Sequence, residues 1–416
     1  MRLTLLCSPA AILLALGLTG CGESSKRTAF VVSGDQQGRP AGLVCAELPP
    51  RPQVGAVYTL RSSTGNSVPG QADEQGKLWW WAEPVAPGQS VTYVAQPGGR
   101  ADADSGVVVQ AVEEGRIDAR IDGQLFTSFH FAPHLPKPFL HPVIGPTGNP
   151  VTRDYPMVDT EAEKANKRQD HRHHRSIWTA HGDVRTDDLD NRGHNYWNEA
   201  IEKGDDPQRV RGILATVSGP VFGRVQAQID WLGDDGRPEF TEERTYTFFR
   251  GDETCRIVDV RIRFQFTERD VLFADTKEGG LVAVRTAISI DEIGGGSMCN
   301  SRGQKGEEQC WGQRAEWCDY VGTLNGQTVG IAIFDAPGNF RHPTPWHIRG
   351  YGLFAANPFG IREFSKDKSQ DGSKLWRKGE TVEFNYRIFI HAGDTVAARV
   401  ADQYRLYTNP ASLVRG

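Results

Sequence analysis

The sequence predicts an all-β fold: a large two-sheet sandwich, preceded by a small β-sandwich domain and closed by one C-terminal helix. Three observations carry this. First, Val258, Val260, Ile262, Phe264 and Phe266 alternate with Asp259, Arg261, Arg263 and Gln265. That period of two is an antiparallel strand with one apolar and one polar face. Second, runs such as "RVRGILATVSGPVFGRVQAQIDWLGDDG", "EFTEERTYTFFRG", "LVAVRTAISI" and "TVEFNYRIFIHAG" are separated by turn clusters, in a chain carrying 46 Gly and 24 Pro. Long strands between turn signals build packed sheets. Third, only Asp394 to Tyr407 reads clearly as helix, with Asp394 as N-cap and Val396, Val400 and Tyr404 at fourfold spacing.

Taken in chain order, residues 1–20 read as a secretory leader. Arg2 supplies a positive start and Leu3 to Leu18 is largely apolar. Crossing a bilayer takes about 20 apolar residues, so this is a signal core rather than a membrane span. Leu18-Thr19-Gly20-Cys21 resembles a bacterial lipobox, which makes Cys21 the lipidation site and residues 21–27 a tether. The expectation is an exported protein, held by its lipid to the bacterial membrane in the periplasm or at the cell surface. Residues 28–104 hold short strands ("GAVYTLRS", "KLWWWAEP", "QSVTYVAQ") and suit a small β-sandwich. Trp79, Trp80 and Trp81 could form a sugar platform, but alternation on a strand favours packing for at least one of them. The polar stretch "GGRADADSG" marks the boundary to a larger domain, residues 105–416.

A net charge of −5 argues against nucleic acid and against a polybasic membrane surface. Setting aside Cys7 and Cys21, the cysteines are Cys45, Cys255, Cys299, Cys310 and Cys318. Export permits oxidation, and Cys299 with Cys310, bracketing a Gly/Ser/Lys-rich loop, is the expected disulfide. Cys255, in a strand-like run, is expected to stay free. With no CxxC spacing, a thiolate zinc site is not expected.

Residues able to do chemistry gather in four segments. "PFLHPVIGPTGNPVTRDYP" offers His141, Asn149, Arg153 and Asp154 on a stiff, turn-rich loop. "DHRHHRSIWTAHGD", residues 170–183, holds four of the chain's 11 histidines. In extended chain His171 and His173 face one way and His174 the other. His171 and His173 would be the pair for a metal, though interleaved Arg172 and Arg175 oppose a bound cation. Proton transfer needs only one histidine oriented by a carboxylate, for which Asp170 and Asp183 are candidates. The strand that follows would present His181 and Asp183 from a rigid element. "DTKEGGLVAVR" places Lys277 and Glu278 before a glycine pair. "WGQRAEWCDY" and "NFRHPTPWHIRGYGLFAANPFG" supply Arg314, Trp346, His347, Arg349 and Asn357. Flat aromatic faces mixed with guanidinium and imidazole donors match the needs of sugars. No cofactor is expected, a metal remaining the minority alternative.

These segments, "HPVIGPTGNPVTRDYPM", "DHRHHRSIWTAHGDV", "DTKEGG", "WGQRAEWCDY" and "WHIRGYGLFAANPFG", resemble a bacterial family of unknown function labelled PmoA and DUF6807, over about residues 125 to 395. The methane-oxygenase sense of that label does not fit a chain without multiple membrane spans. The family's all-β architecture is similar to the galactose-mutarotase-like supersandwich. That resemblance implies a carbohydrate or glycoside ligand, with His174 or His181 as acid and Glu278 as base. The residue types in the four segments make His141, Arg153, His171, Asp183, Lys277, Arg314, Trp346, His347, Arg349 and Asn357 the candidates for substrate binding. Epimerase, hydrolase and lyase chemistry, and a non-catalytic glycan binder, all remain compatible.

Overall fold

The computed structural model describes residues 28–99, 105–166, 168–186, 193–200, 207–365, 367–409 and 412–414. The expected leader, the tether and Cys21 lie outside the described residues.

Two antiparallel sheets of eight strands each make the large sandwich. The first runs in the order Trp346–Arg349, Leu353–Ala356, Gly279–Arg285, Ile177–His181, Phe139–Val143, Gln124–His130, Arg116–Ile121, Val107–Glu113. The second is built around the long strands Phe222–Leu232, Pro238–Phe249, Cys255–Gln265 and Thr381–Ala392. Between them lies one apolar core. Val258, Val260, Ile262 and Phe264 from the second sheet meet Ile177, Leu281, Val284 and Phe354 from the first. The alternation in Cys255–Gln265 appears directly as alternating burial, with the polar face turned away from the core.

Around Ile177–His181 and Gly279–Arg285 the first sheet is buried on both faces, whereas its edge strand Val107–Glu113 is largely exposed on one. The far side of the sheet carries a second cluster, Phe139, Trp178, Ala180, Trp197, Ala283, Leu353 and Ala355. This double burial explains the near-continuous apolar run "GGLVAVR", all of whose residues are buried. It also decides where the chemistry sits, because the chemical groups collect over this outer cluster.

The N-terminal domain hydrogen-bonds in one order: Gly42–Glu47, Lys77–Ala82, Ser67–Ala72, Val57–Ser62, Ser90–Pro97, Thr28–Ser33 and finally Ser412–Val414 from the far end of the chain. The sheet folds over its own core, so that Trp80 lies 5.2 Å from Phe30 and 5.6 Å from Tyr93, ring centre to ring centre. Trp79 and Trp81 face the other way. They pack with Phe222, Phe249 and Val221 against the outer face of the second sheet. Trp80 is therefore core, and its two neighbours join the domains.

Three short helices, Glu161–Asn166, Gly306–Cys310 and Ile361–Ser365, interrupt the loops. The C-terminal helix spans Val400–Thr408, shorter than the sequence suggests. Asp394 caps a separate turn, accepting from the backbone N–H of Val396 and Ala397 at 3.0 and 2.8 Å. Arg399, with φ 54°, breaks the run before Val400. Val396 consequently lies exposed outside the buried stripe.

The expected Cys299–Cys310 bridge is absent, and all five described cysteines are free thiols. The second sheet separates the two. Cys299 packs toward the domain junction, where its Sγ lies 3.5 Å from Thr395 Oγ1. Cys310 ends its short helix inside the inter-sheet core.

Candidate functional site

The histidine segment is a turn, not an extended strand. The N–H of His174 donates to the carbonyl of His171 at 2.8 Å, and His171 (φ 48°) and Ser176 (φ 54°) adopt left-handed backbone. The turn undoes the alternation expected for extended chain and gathers all three rings. His171 stacks on His174 with centroids 4.8 Å apart, and His173 meets His174 edge-on at 4.5 Å. On its other side the ring of His174 stacks on Trp178 at 5.1 Å. Trp197 lies edge-on to it at 5.5 Å. Gly280 makes room for Trp197: a Cβ there would stand 3.4 Å from its ring and only 2.7 Å from Ala355 Cβ.

Arg285, at the end of its strand, ties the cluster together. Its Nη1 contacts His174 Nδ1 at 3.0 Å, its Nη2 donates to Asp170 Oδ1 at 2.8 Å, and its guanidinium lies 4.7 Å from the centre of the Tyr351 ring. Asp170 also receives Arg153 Nη1 at 3.1 Å and pairs with His171 Nδ1 at 3.3 Å. Although burial opposes ionisation, the His171 hydrogen bond and the nearby Arg285 hold the Asp170 carboxyl well below the usual carboxylate range. Tyr351 stacks on His171 at 4.8 Å. Burial pushes its hydroxyl up to about 12.

The opposite edge comes from two other segments. His347 is buried and stacks on Trp197 at 6.1 Å. Lys277 pairs with Glu278, both half-buried. Arg349 pairs with Glu307 at 2.8 Å and lies 5.6 Å from the Tyr351 ring centre. Arg285 and Arg153 share Asp170, and Arg153 also pairs with Glu163, so these four cations meet four carboxylates.

Protonation follows from this packing. Burial lowers His347 and His173 to about 3, with the Lys277 charge adding to the first and the Lys137 charge to the second, and it drives His174 well below 6.5. These rings are neutral at pH 7. Guanidinium has no acceptor, so Arg285 must donate to His174 Nδ1, which leaves the proton on Nε2. That Nε2 is buried without a partner, and so is His347 Nδ1. The cluster thus offers two buried ring nitrogens without partners, that of His174 as a donor.

Several expected residues go elsewhere. His181 shares the strand face of Ile177 and points into the inter-sheet core, stacked on Phe273 at 5.2 Å, its Nε2 donating to the Ala274 carbonyl at 2.9 Å. It cannot act as acid with this cluster. Trp346 is fully buried in the same core, its Nε1 donating to Ala315 O at 2.9 Å. Arg314 clamps a loop through the carbonyls of Arg341 and Pro343 at 2.9 and 2.8 Å, and Asp183 is engaged by Arg185 at 2.7 Å. His141 pairs with Asp154 at 3.1 Å, one strand away. Arg153 and Asn357 support from behind. Arg153 bonds Glu163 at 2.9 Å besides Asp170, and Asn357 Nδ2 donates to the carbonyls of Thr276 and Lys277 at 2.9 and 3.2 Å.

His171 and His173 are 5.7 Å apart, ring to ring. Among the described residues no group of three or more His, Cys, Asp or Glu is set to hold a metal ion. Sequence reasoning missed Arg285, Tyr351 and Trp197 as members of the site. Trp197 and Tyr351 come from loops with no periodic signal. Arg285 carried one, as a lone cation closing an apolar strand.

The fold and site define an all-β, two-sheet protein with a neutral, histidine-rich polar site on the outer face of one sheet. The chain belongs to a family of unknown function, DUF6807, whose model matches residues 116–405. Among solved structures it is similar to an Enterococcus faecalis protein in glycosyl hydrolase family 38, at 11% identity and a TM-score of 0.38. That match covers 94% of this chain and 48% of the other, so the chain spans about half of that protein's length. It is also similar to a galactose mutarotase-like protein from Clostridium acetobutylicum, at 10% identity and a TM-score of 0.34, covering 70% of this chain and 100% of that one. Comparison with curated proteins found no match.

Proposed function

We propose that the protein binds and transforms an uncharged carbohydrate or glycoside at the His174–His347–Glu278 site, as an exported protein tethered through lipid on Cys21. One observation carries the chemical part of the reading. His174 Nε2–H and His347 Nδ1 are buried without partners in one cluster, and Lys277, whose charge acts on His347, is followed by the half-exposed Glu278 carboxylate. Neutral polyols supply the matching groups, hydroxyls that both donate and accept, and the balanced charge gives no preference for an anion.

In this mechanism Glu278, released from Lys277 as substrate enters, takes a hydroxyl proton. His174 donates a hydrogen bond from neutral imidazole to the oxygen on which charge develops. A ring held neutral polarises without giving up its proton. This revises the role expected for His174, from proton donor to hydrogen-bond donor.

The test is turnover of a panel of mono- and disaccharides by wild type and Glu278→Gln. Loss of turnover by at least a hundredfold with ligand binding retained supports the reading, and unchanged turnover removes Glu278 from it. The non-catalytic glycan binder is favoured by a different observation, the Lys277–Glu278 pair, which occupies the base at rest. Ligand-dependent stabilisation without consumption of any panel member would select it.

A further inference from the structure

The polar side of Cys255–Gln265 takes no part in the site above. Cross-strand register extends it into rows: Arg224, Thr247, Asp259 and Arg387 lie side by side, and Thr245, Arg261 and Asn385 form the next row. An outward polar face ordinarily meets water. Here the N-terminal domain and the C-terminal helix stand over it through Glu74, Trp79 and Tyr407, enclosing a cleft of about 570 Å³. That lies within the range of small-ligand sites.

Arg224 and Arg261 pair through their terminal nitrogens with Glu74, and Arg261 also with Glu243, yet other buried polar atoms in this cleft lack partners. Arg224 and Thr245 line it at 4% and 3% exposure. Arg224 Nε, Thr245 Oγ1 and Arg261 Nε have no hydrogen-bond partner. Native proteins leave few such groups unmet. Guanidinium Nε only donates, so two of the three ask for an acceptor oxygen. A small anion would answer, but Asp73, Glu74, Asp259 and Glu383 line the same space, and carboxylates repel an anion while accepting from hydroxyls. Arg387 is already satisfied by Asp259 at 2.6 and 2.8 Å. Trp79 adds an aromatic plane, oriented by its Nε1 bond to Asp73 at 2.7 Å.

We infer that this cleft between the domains is a second binding site, separate from the histidine site, and that its ligand is a neutral carbohydrate. Sugar hydroxyls accept from Arg224, Arg261 and Thr245, donate to Glu383 and Asp73, and lie beside Trp79. The inference does not depend on catalysis at Glu278.

Calorimetric titration tests it, using neutral linear tetrasaccharides of glucose, xylose, mannose and galactose, with inorganic phosphate as the anionic probe. The proteins are wild type, Thr245→Val, Arg261→Met and a His174→Ala/His347→Ala double variant that reports on the other site. The expected result is that at least one sugar binds wild type and the double variant alike, while Thr245→Val and Arg261→Met each weaken it tenfold or more. Thr245→Val is nearly isosteric, and an unchanged melting temperature certifies its fold. Three results overturn the inference: no tetrasaccharide binds the double variant, the two cleft variants bind like wild type, or phosphate binds in an Arg261-dependent way.

Discussion

Arg285 donates to His174 across 3.0 Å and so fixes which nitrogen of a buried, neutral imidazole keeps its proton. The unmet buried donor on Nε2 exists because Nδ1 is occupied. Arg285→Met leaves the tautomer free and uncovers Asp170. Turnover is expected to fall about 10- to 100-fold, the scale of a lost orienting partner. Nitrogen NMR of labelled histidine checks the cause: wild type shows protonated Nε2, and the variant a mixture. A pure Nε2–H signal in Arg285→Met would refute the assignment.

Stability should fall with acid. His173 and His347 stay neutral down to about 3, and His181, for which burial is the leading cause, to about 4. The unfolded chain takes up these protons near pH 6.5, so below that pH it binds more protons than the folded one. Each histidine's contribution is complete above pH 6.5 and is lost as the pH drops toward its folded value, at about 1.4 kcal/mol per unit. Chemical denaturation at pH 7, 6 and 5 measures the slope, and His181→Gln should remove one histidine's share. A flat profile between pH 7 and 5 would contradict the buried neutral rings.

Trp346 tests the division between core and site. Trp346→Phe strips the donor from the Ala315 carbonyl and leaves it buried and unmet, a cost of about 1–3 kcal/mol. The melting temperature should drop while ligand affinity holds. A loss of affinity with unchanged stability would return Trp346 to the site.

Arg387 lies among Tyr407, Phe249 and Trp79, at 4.6, 5.6 and 6.0 Å from their ring centres, with Asp259 as its carboxylate. Arg387→Met orphans Asp259. Breaking a buried pair costs about 3–5 kcal/mol, and about 2–3 is expected here because Asp259 keeps some solvent access. Urea titration monitored by tryptophan fluorescence is the measurement. No change in midpoint would show that the junction does not depend on this pair.

Reduction offers a further check on the cysteines. Dithiothreitol should leave the melting temperature unchanged, whereas a structural disulfide would surrender about 2–5 kcal/mol.

The second sheet was legible where one face is apolar and the other polar, as in Val258 through Phe266, although part of its outer face is apolar against the N-terminal domain. The first sheet was harder. In "IWTAH" both faces are buried, Ile177 toward one core and Trp178 toward another. Alternation alone could not say which of them His181 joined. In "WHIR" the same rule would have served, since Trp346 and Ile348 take the core face and His347 with Arg349 the other. The histidine turn was hidden for a different reason. His171 and Ser176 take left-handed backbone without being glycine, which no composition signal marks. Tyr351 and Trp197 reach the cluster only through tertiary contacts.

Thr28–Ser33 has a neighbour on each side, Ser90–Pro97 and Ser412–Val414. Force arriving through residues 21–27 would enter the folded body along that strand. Two antiparallel ladders would then be loaded in shear, many hydrogen bonds sharing the pull at once, instead of parting one after another as in an unzipped edge. The segment nearest the expected anchor is clamped from both flanks, and one of the clamps is the chain's own last described strand.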